Sequence, residues 1–300
     1  MSSIQDYPYY PTAAQRDAWI AGLLAEAESI RCEGEILNRR NFKPEMGCFN
    51  VRTCSYVRFC TDRGEEFYGY YDWVPNGPAP LIVHTPGYNS DAGVYHMMKM
   101  EGFNVLHVDP MGYVTPDGER TELRRDGTWP VLADTVSSAG EKGYRTFFLH
   151  TLLAIRWAFA RPEVLPDRVS FFGTSQGGMA SLVLGSLLAG RGARCVCADL
   201  PYLQGQFTGC YDFHPETCPD PEAARRAMAL LDGLAHADRL SGLPVLLTSA
   251  TADGLCPEQT IRPLFDALSG HKAYMSIKDQ VHCYTQEFLY LTAAWMRMYA

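Results

Sequence analysis

From Leu81 onward the chain alternates short apolar runs with longer stretches of helical periodicity, and that rhythm leaves few folds open. The runs are Leu81-Ile82-Val83 and residues 105–108, 169–172, 195–198, 245–248 and 273–277. Apolar runs this short fit strands covered on both faces, and helical crossovers between them demand parallel pairing. In one crossover Phe148, Leu152, Ile155 and Phe159 form a stripe that Pro162 ends. The expectation is an α/β fold with a mostly parallel central sheet and helices on both faces.

Ahead of that region the pattern changes. Thr12 and Gln15 stand at capping-box spacing, and Trp19, Ile20, Leu23, Leu24 and Ala27 follow at helical intervals. Residues 56–61 and 66–74 flank the turn Asp62-Arg63-Gly64 and read as a hairpin. Residues 1–70 are therefore expected to add a helix and antiparallel leading strands to a single domain spanning 1–300. At 300 residues and 47% hydrophobic content the chain can bury one large core.

The formal net charge of −8 offers no general attraction to phosphate backbones or anionic membrane surfaces, so nucleic acid and membrane are not expected partners. No basic and apolar export leader opens the sequence, and no apolar stretch approaches the roughly 20 residues of a bilayer span. A cytoplasmic protein is expected. The ten cysteines repeat no zinc-ligand spacing and form no Cys-x-x-Cys, so neither metal nor other cofactor is expected and the thiols read as buried and free. Cys210 and Cys218, in one loop, are the pair with disulfide potential.

The chemistry concentrates at Gly173-Thr174-Ser175-Gln176-Gly177, a Gly-x-Ser-x-Gly placed directly after an apolar run and before a helical pattern over 179–188. Small residues on either side let the chain turn sharply and lift the Ser175 hydroxyl, while the helix start beneath favours developing negative charge. A serine hydroxyl is a poor nucleophile until a base takes its proton. Of eight histidines, His282 is placed for this, after the last apolar run and the polar Lys278-Asp279-Gln280, ahead of a helical stretch over 284–298. His84, His107 and His150 lie inside apolar patterns and are expected in the core. His96, His236 and His271 fall in helix-like or surface settings. The acid that orients the base is expected to be Asp253, reached from the run 245–248 through Ser249-Ala250-Thr251-Ala252, with Asp199 as its rival. Oxyanion donors are expected from Gln176 N–H and from Tyr88 N–H in the loop Thr85-Pro86-Gly87-Tyr88-Asn89. Residues 204–221, rich in aromatics and proline, read as a possible cover, in which Phe207, Tyr211, Phe213 and His214 are candidate substrate contacts.

Gly87-Tyr88-Asn89, Gly173-Thr174-Ser175-Gln176-Gly177-Gly178, Asp199-Leu200-Pro201-Tyr202 and Asp253-Gly254-Leu255-Cys256-Pro257 together resemble the acetyl xylan esterase and cephalosporin C deacetylase family of carbohydrate esterases, from about Tyr71 to the C-terminus. The resemblance implies an α/β-hydrolase fold and metal-free removal of acetyl groups from small acetylated sugars and related esters through an acetyl-serine. It implies Ser175, Asp253 and His282 as the triad and Tyr88 and Gln176 as the oxyanion hole. It also implies a homo-oligomer, commonly a hexamer. The chain departs from the family pattern at Asp109-Pro110-Met111-Gly112, where Arg-Gly-Gln-Gly is usual, and at Cys283, where an acidic residue is usual. The alternatives are a serine peptidase or acyl-peptide hydrolase, and a silent hydrolase-fold binding protein. The peptidases usually carry a large gating domain for which about 70 leading residues leave no room, and a silent relative has no need of all three triad residues.

Overall fold

A computed structural model describes residues 9–37, 54–88, 95–110, 143–203 and 221–300. Among the described residues nine strands form one sheet: β1 (Cys32–Ile36), β2 (Cys54–Thr61), β3 (Glu66–Asp72), β4 (Ala79–His84), β5 (Asn104–Asp109), β6 (Val164–Thr174), β7 (Ala193–Asp199), β8 (Val245–Ala250) and β9 (Lys272–Ile277). Their spatial order is β1-β2-β3-β5-β4-β6-β7-β8-β9. Pairs up to β3 with β5 are antiparallel, and every later pair is parallel. This is the expected mostly parallel sheet with antiparallel leading strands. The hairpin turn is where the sequence puts it, with Gly64 at φ 79° and its N–H on Thr61 O at 3.0 Å.

The helices are α1 (Ala13–Ser29), α2 (His96–Met100), α3 (Tyr144–Phe159), α4 (Gln176–Leu187), α5 (Pro221–Ala229), α6 (Ala237–Leu240), α7 (Glu258–Ala267) and α8 (Gln286–Tyr299). They cover both faces of the sheet because successive strand residues point to opposite sides. On β4, Leu81 and Val83 pack with α1, α3, α4 and α7, whereas Ile82 packs with α2 and α8. The expected capping box opens α1: Gln15 N donates to Thr12 Oγ1 at 3.2 Å, and Thr12 N donates to Gln15 Oε1 at 2.9 Å. None of these helices is long and apolar enough to cross a membrane.

Three features differ from expectation. The edge strand β1 is one: Cys-Glu-Gly-Glu-Ile has only two apolar side chains, none of its residues is buried, and it pairs along its length with β2. Helix α3 is wider in its burial than its stripe, since Phe147, Leu149, Leu153 and Ala154 are buried as well as Phe148, Leu152 and Ile155. It lies between α1 and the sheet, so nearly every side meets protein; each large side chain so buried contributes about 1.5–3 kcal/mol. The thiols are not uniformly buried: Cys195, Cys197 and Cys256 are, but Cys60 and Cys283 are exposed free cysteines. Cys60 alternates outward on β2, and Cys283 lies on a loop. Cys210 and Cys218 lie outside the described residues.

Candidate active site

Strand β6 ends at Thr174 and α4 begins at Gln176, so Ser175 makes the whole turn, at φ 61° and ψ −122°. A non-glycine residue in such a region carries of order 1–3 kcal/mol of strain and persists only where its neighbours over-determine it. Here they do. Ser175 N donates to Asp199 O at 2.8 Å, while Ser175 O accepts from Tyr202 N at 2.9 Å and from Met179 N at 3.0 Å. The loop after β4 is docked on the start of α4: Thr85 N donates to Phe172 O at 3.2 Å, and Thr85 Oγ1 and Ser181 Oγ each donate to Gly177 O at 2.8 Å.

That docking requires Gly177. A Cβ there would stand 2.2 Å from Thr85 O and 3.1 Å from Pro86 C, all backbone. Alanine adds up to about 1 kcal/mol of helix propensity, but forced overpacking costs about 1–3 kcal/mol and displaces the loop that carries Tyr88. Gly177→Ala is therefore expected to lower both the melting temperature and kcat, the latter at least about tenfold, as read by calorimetry and ester hydrolysis.

Asp253 and His282 arrive from the loops after β8 and β9. His282 Nδ1 and Asp253 Oδ2 are 2.7 Å apart, and Asp253 Oδ1 accepts from Leu255 N and Cys256 N, both at 2.8 Å. The Asp253 side chain is fully buried, whereas His282 is 19% exposed. Two backbone donors and one imidazole thus fix the carboxylate, which leaves His282 Nε2 as the nitrogen free of that pairing. The rival, Asp199, is buried at the end of β7, and its oxygens go elsewhere: Oδ2 accepts from Thr174 Oγ1 at 2.8 Å and Oδ1 from Thr248 Oγ1. Burial pushes its carboxyl up to about 6, against the opposing pull of those two hydroxyl bonds.

Ser175, Gln176 and Tyr88 line one cleft of about 230 Å3 together with Tyr144, Tyr202, Leu255 and Cys256. Tyr144 Oη donates to Gln176 Oε1 at 3.2 Å. Tyr202 and Cys256 stand within two of the sequence motifs, yet nothing in a motif says that a side chain lines a cleft. Tyr144 carries no motif at all. Donor atoms of Asp253, Cys256 and His282 lie within 4.8 Å of one another, the one such group among the described residues. Since Asp253 is already committed to His282 and two amides, the set is suited to orienting an imidazole rather than to holding a cation.

The remaining candidates sort by burial. His84 and His107 are core residues with rings stacked at 4.5 Å, and burial pushes His107 down to about 3. His150 is buried against Phe67, and His271 is exposed. His236 lies in a helix-like setting, ending a 3-10 turn, and is fully buried, its ring nitrogens 2.7 Å from Ser186 Oγ and Leu230 O. Of the two departures, Asp109 is buried at the end of β5 and Cys283 is exposed beside His282 in sequence. Phe207, Tyr211, Phe213 and His214 lie outside the described residues.

The family model described as acetyl xylan esterase (AXE1) matches residues 16–297. The chain belongs to the acetyl xylan esterase family. The protein is thus a carboxylic ester hydrolase, and solved structures agree on its α/β-hydrolase fold. Acetyl xylan esterase 1 from Thermoanaerobacterium sp. JW/SL YS485 matches at TM-score 0.71 and 20% identity, covering 99% of this chain and 98% of that one. The acetyl xylan esterase from Paenibacillus sp. R4 matches at 0.70 and 17%, covering 100% of both chains. An acylaminoacyl peptidase from Pyrococcus horikoshii matches at 0.54 and 18%, over 78% of this esterase but only 38% of its own length. The two esterases thus share the fold end to end, and the peptidase shares only part of it. No curated protein sequence matches the chain.

Proposed function

We propose that the esterase removes acetyl groups from acetylated sugars, xylo-oligosaccharides among them, and from related small esters through an acyl-Ser175 intermediate. The observation that carries this reading is the Asp253–His282 pair at 2.7 Å, held on the loops after β8 and β9, at the same carboxyl-end rim of the parallel strands as the elbow serine after β6. His282 Nε2 takes the Ser175 proton as Oγ attacks the ester carbonyl. The resulting oxyanion accepts hydrogen bonds from Tyr88 N–H and Gln176 N–H. His282 then gives its proton to the departing alcohol, and a water repeats the sequence on the acyl-enzyme. Asp253 holds the Nδ1–H tautomer throughout and favours the transient imidazolium.

A cleft of about 230 Å3 lies below the roughly 300–1,000 Å3 typical of sites for drug-sized ligands, which supports a short acyl group. Three tyrosines, Tyr88, Tyr144 and Tyr202, line it, a residue type suited to packing against a sugar ring. The free cysteines support a reducing, intracellular setting. The homo-oligomer implied by the family resemblance has apolar surface available at Met100 and Met298, which are 86% and 61% exposed and flank the Glu101–Arg297 ion pair.

The test is hydrolysis of p-nitrophenyl esters from acetyl to octanoyl, beside an acetylated xylo-oligosaccharide and an acylated peptide. Acetyl preference with acetate released from the oligosaccharide is expected. Preference for the peptide, or no dependence on Ser175, contradicts the reading.

A further inference from the structure

Two adjacent residues of the loop after β8, Leu255 and Cys256, donate their N–H groups to Asp253 Oδ1, both at 2.8 Å. Both residues line the cleft that holds Ser175, but at different depths. Cys256 is buried in a cluster with Leu200 and Ala250, whereas Leu255 is 67% exposed, so the two mark the inner wall and the mouth of the cleft. An isolated exposed leucine calls for no explanation. This one is fixed in place, because the carboxylate that takes its N–H pairs through its other oxygen with His282 Nδ1. Its backbone is thus mounted on the acid that orients the base.

We infer that Leu255 is a specificity-determining residue for the alcohol half of the ester, its side chain covering the apolar C–H face of the sugar ring that carries the acetyl group. The inference rests on the function proposed above, in which His282 returns a proton to the departing alcohol. That step requires the alcohol oxygen to lie at His282 Nε2 when the ester bond breaks, so the alcohol leaves on the side of the base and the acid loop. The carbonyl oxygen is held apart from it, at the N–H groups of Tyr88 and Gln176. Size points the same way. A cleft of about 230 Å3 has room for an acetyl group but cannot enclose an oligosaccharide, which must project through the mouth where Leu255 stands. Apolar contact there favours an alcohol with a broad C–H surface and does little for a small one.

The test compares Leu255→Ala and Leu255→Met with the wild type on two series. One holds the acyl group constant, as acetates of methanol, p-nitrophenol and a xylo-oligosaccharide; the other holds the alcohol constant, as p-nitrophenyl esters from acetyl to octanoyl. In Leu255→Ala, kcat/KM is expected to fall about tenfold on the acetylated oligosaccharide and on p-nitrophenyl acetate, and least on methyl acetate, the scale of removing one apolar side chain from contact. Leu255→Met keeps the apolar surface and restores the wild-type order of the acetates. Across the acyl series Leu255→Ala loses one common factor, because the alcohol does not change. A loss as large on methyl acetate as on the oligosaccharide traces to Asp253 and His282 and overturns the inference. A shifted acyl-length preference, or an unmoved rate on the oligosaccharide, overturns it too. Failure of the wild type to release acetate from the oligosaccharide, or hydrolysis that survives Ser175→Ala, overturns the underlying reading and this one with it.

Discussion

Ser175→Ala is expected to hydrolyse p-nitrophenyl acetate at least about 10^4-fold more slowly than the wild type, at an unchanged melting temperature. The size follows from the nucleophile's place in a unit: once it is gone, the base and the oxyanion donors can act only on a water that nothing holds in line. The unchanged stability follows from the elbow. Alanine at φ 61° carries the same strain as serine, and the bonds that hold the turn run through the backbone of residue 175 to Asp199, Tyr202 and Met179. The measurement is kcat/KM beside a calorimetric scan. A modest loss of rate, or a large one matched by a fall in melting temperature, speaks against Ser175 as the attacking group.

Asp253→Asn is expected to lower kcat by about 10^3–10^4 while leaving the fold and KM nearly as they are. The carboxamide oxygen can still accept from Leu255 N and Cys256 N, so the loop keeps its shape. Its NH2 then faces His282 Nδ1 and forces that nitrogen to accept, which places the proton on Nε2, where a base must be empty. The comparison with Asp199→Asn is informative because Asp199 was the rival on sequence grounds. A loss about a hundredfold or more larger at Asp253 than at Asp199 assigns the acid to Asp253, as proposed; the reverse order assigns it to Asp199.

The fold from Leu81 onward was legible because buried parallel strands are short apolar runs whatever surrounds them, and six such runs became β4 to β9. The Thr12 capping box and the Asp62-Arg63-Gly64 turn were legible because both are local chemistry. Strand order was not. The insertion of β5 between β3 and β4 depends on where crossovers land, which no short window contains. Likewise the pairing of β1 with β2, some twenty residues on, lies outside any short window. In the site, the elbow could be read because Gly-x-Ser-x-Gly encodes a backbone geometry over five consecutive residues. The choice between Asp253 and Asp199 could only be ranked, since Asp199 ends β7 and Asp253 follows β8 on the same rim, and their hydrogen-bond partners, distant in sequence, separate them. Tyr144 illustrates the limit: it reaches the cleft because α3 delivers it there, and a tyrosine opening an apolar helix gives no sign of that in sequence.

The most direct measurement is the mass of the esterase quenched in acid within milliseconds of mixing with p-nitrophenyl acetate, followed by peptide mapping. A single acetyl group on the peptide between Arg168 and Arg191, absent in Ser175→Ala, is the predicted result; acetyl transferred to another residue, or rapid turnover with Ser175 never acetylated, contradicts the account.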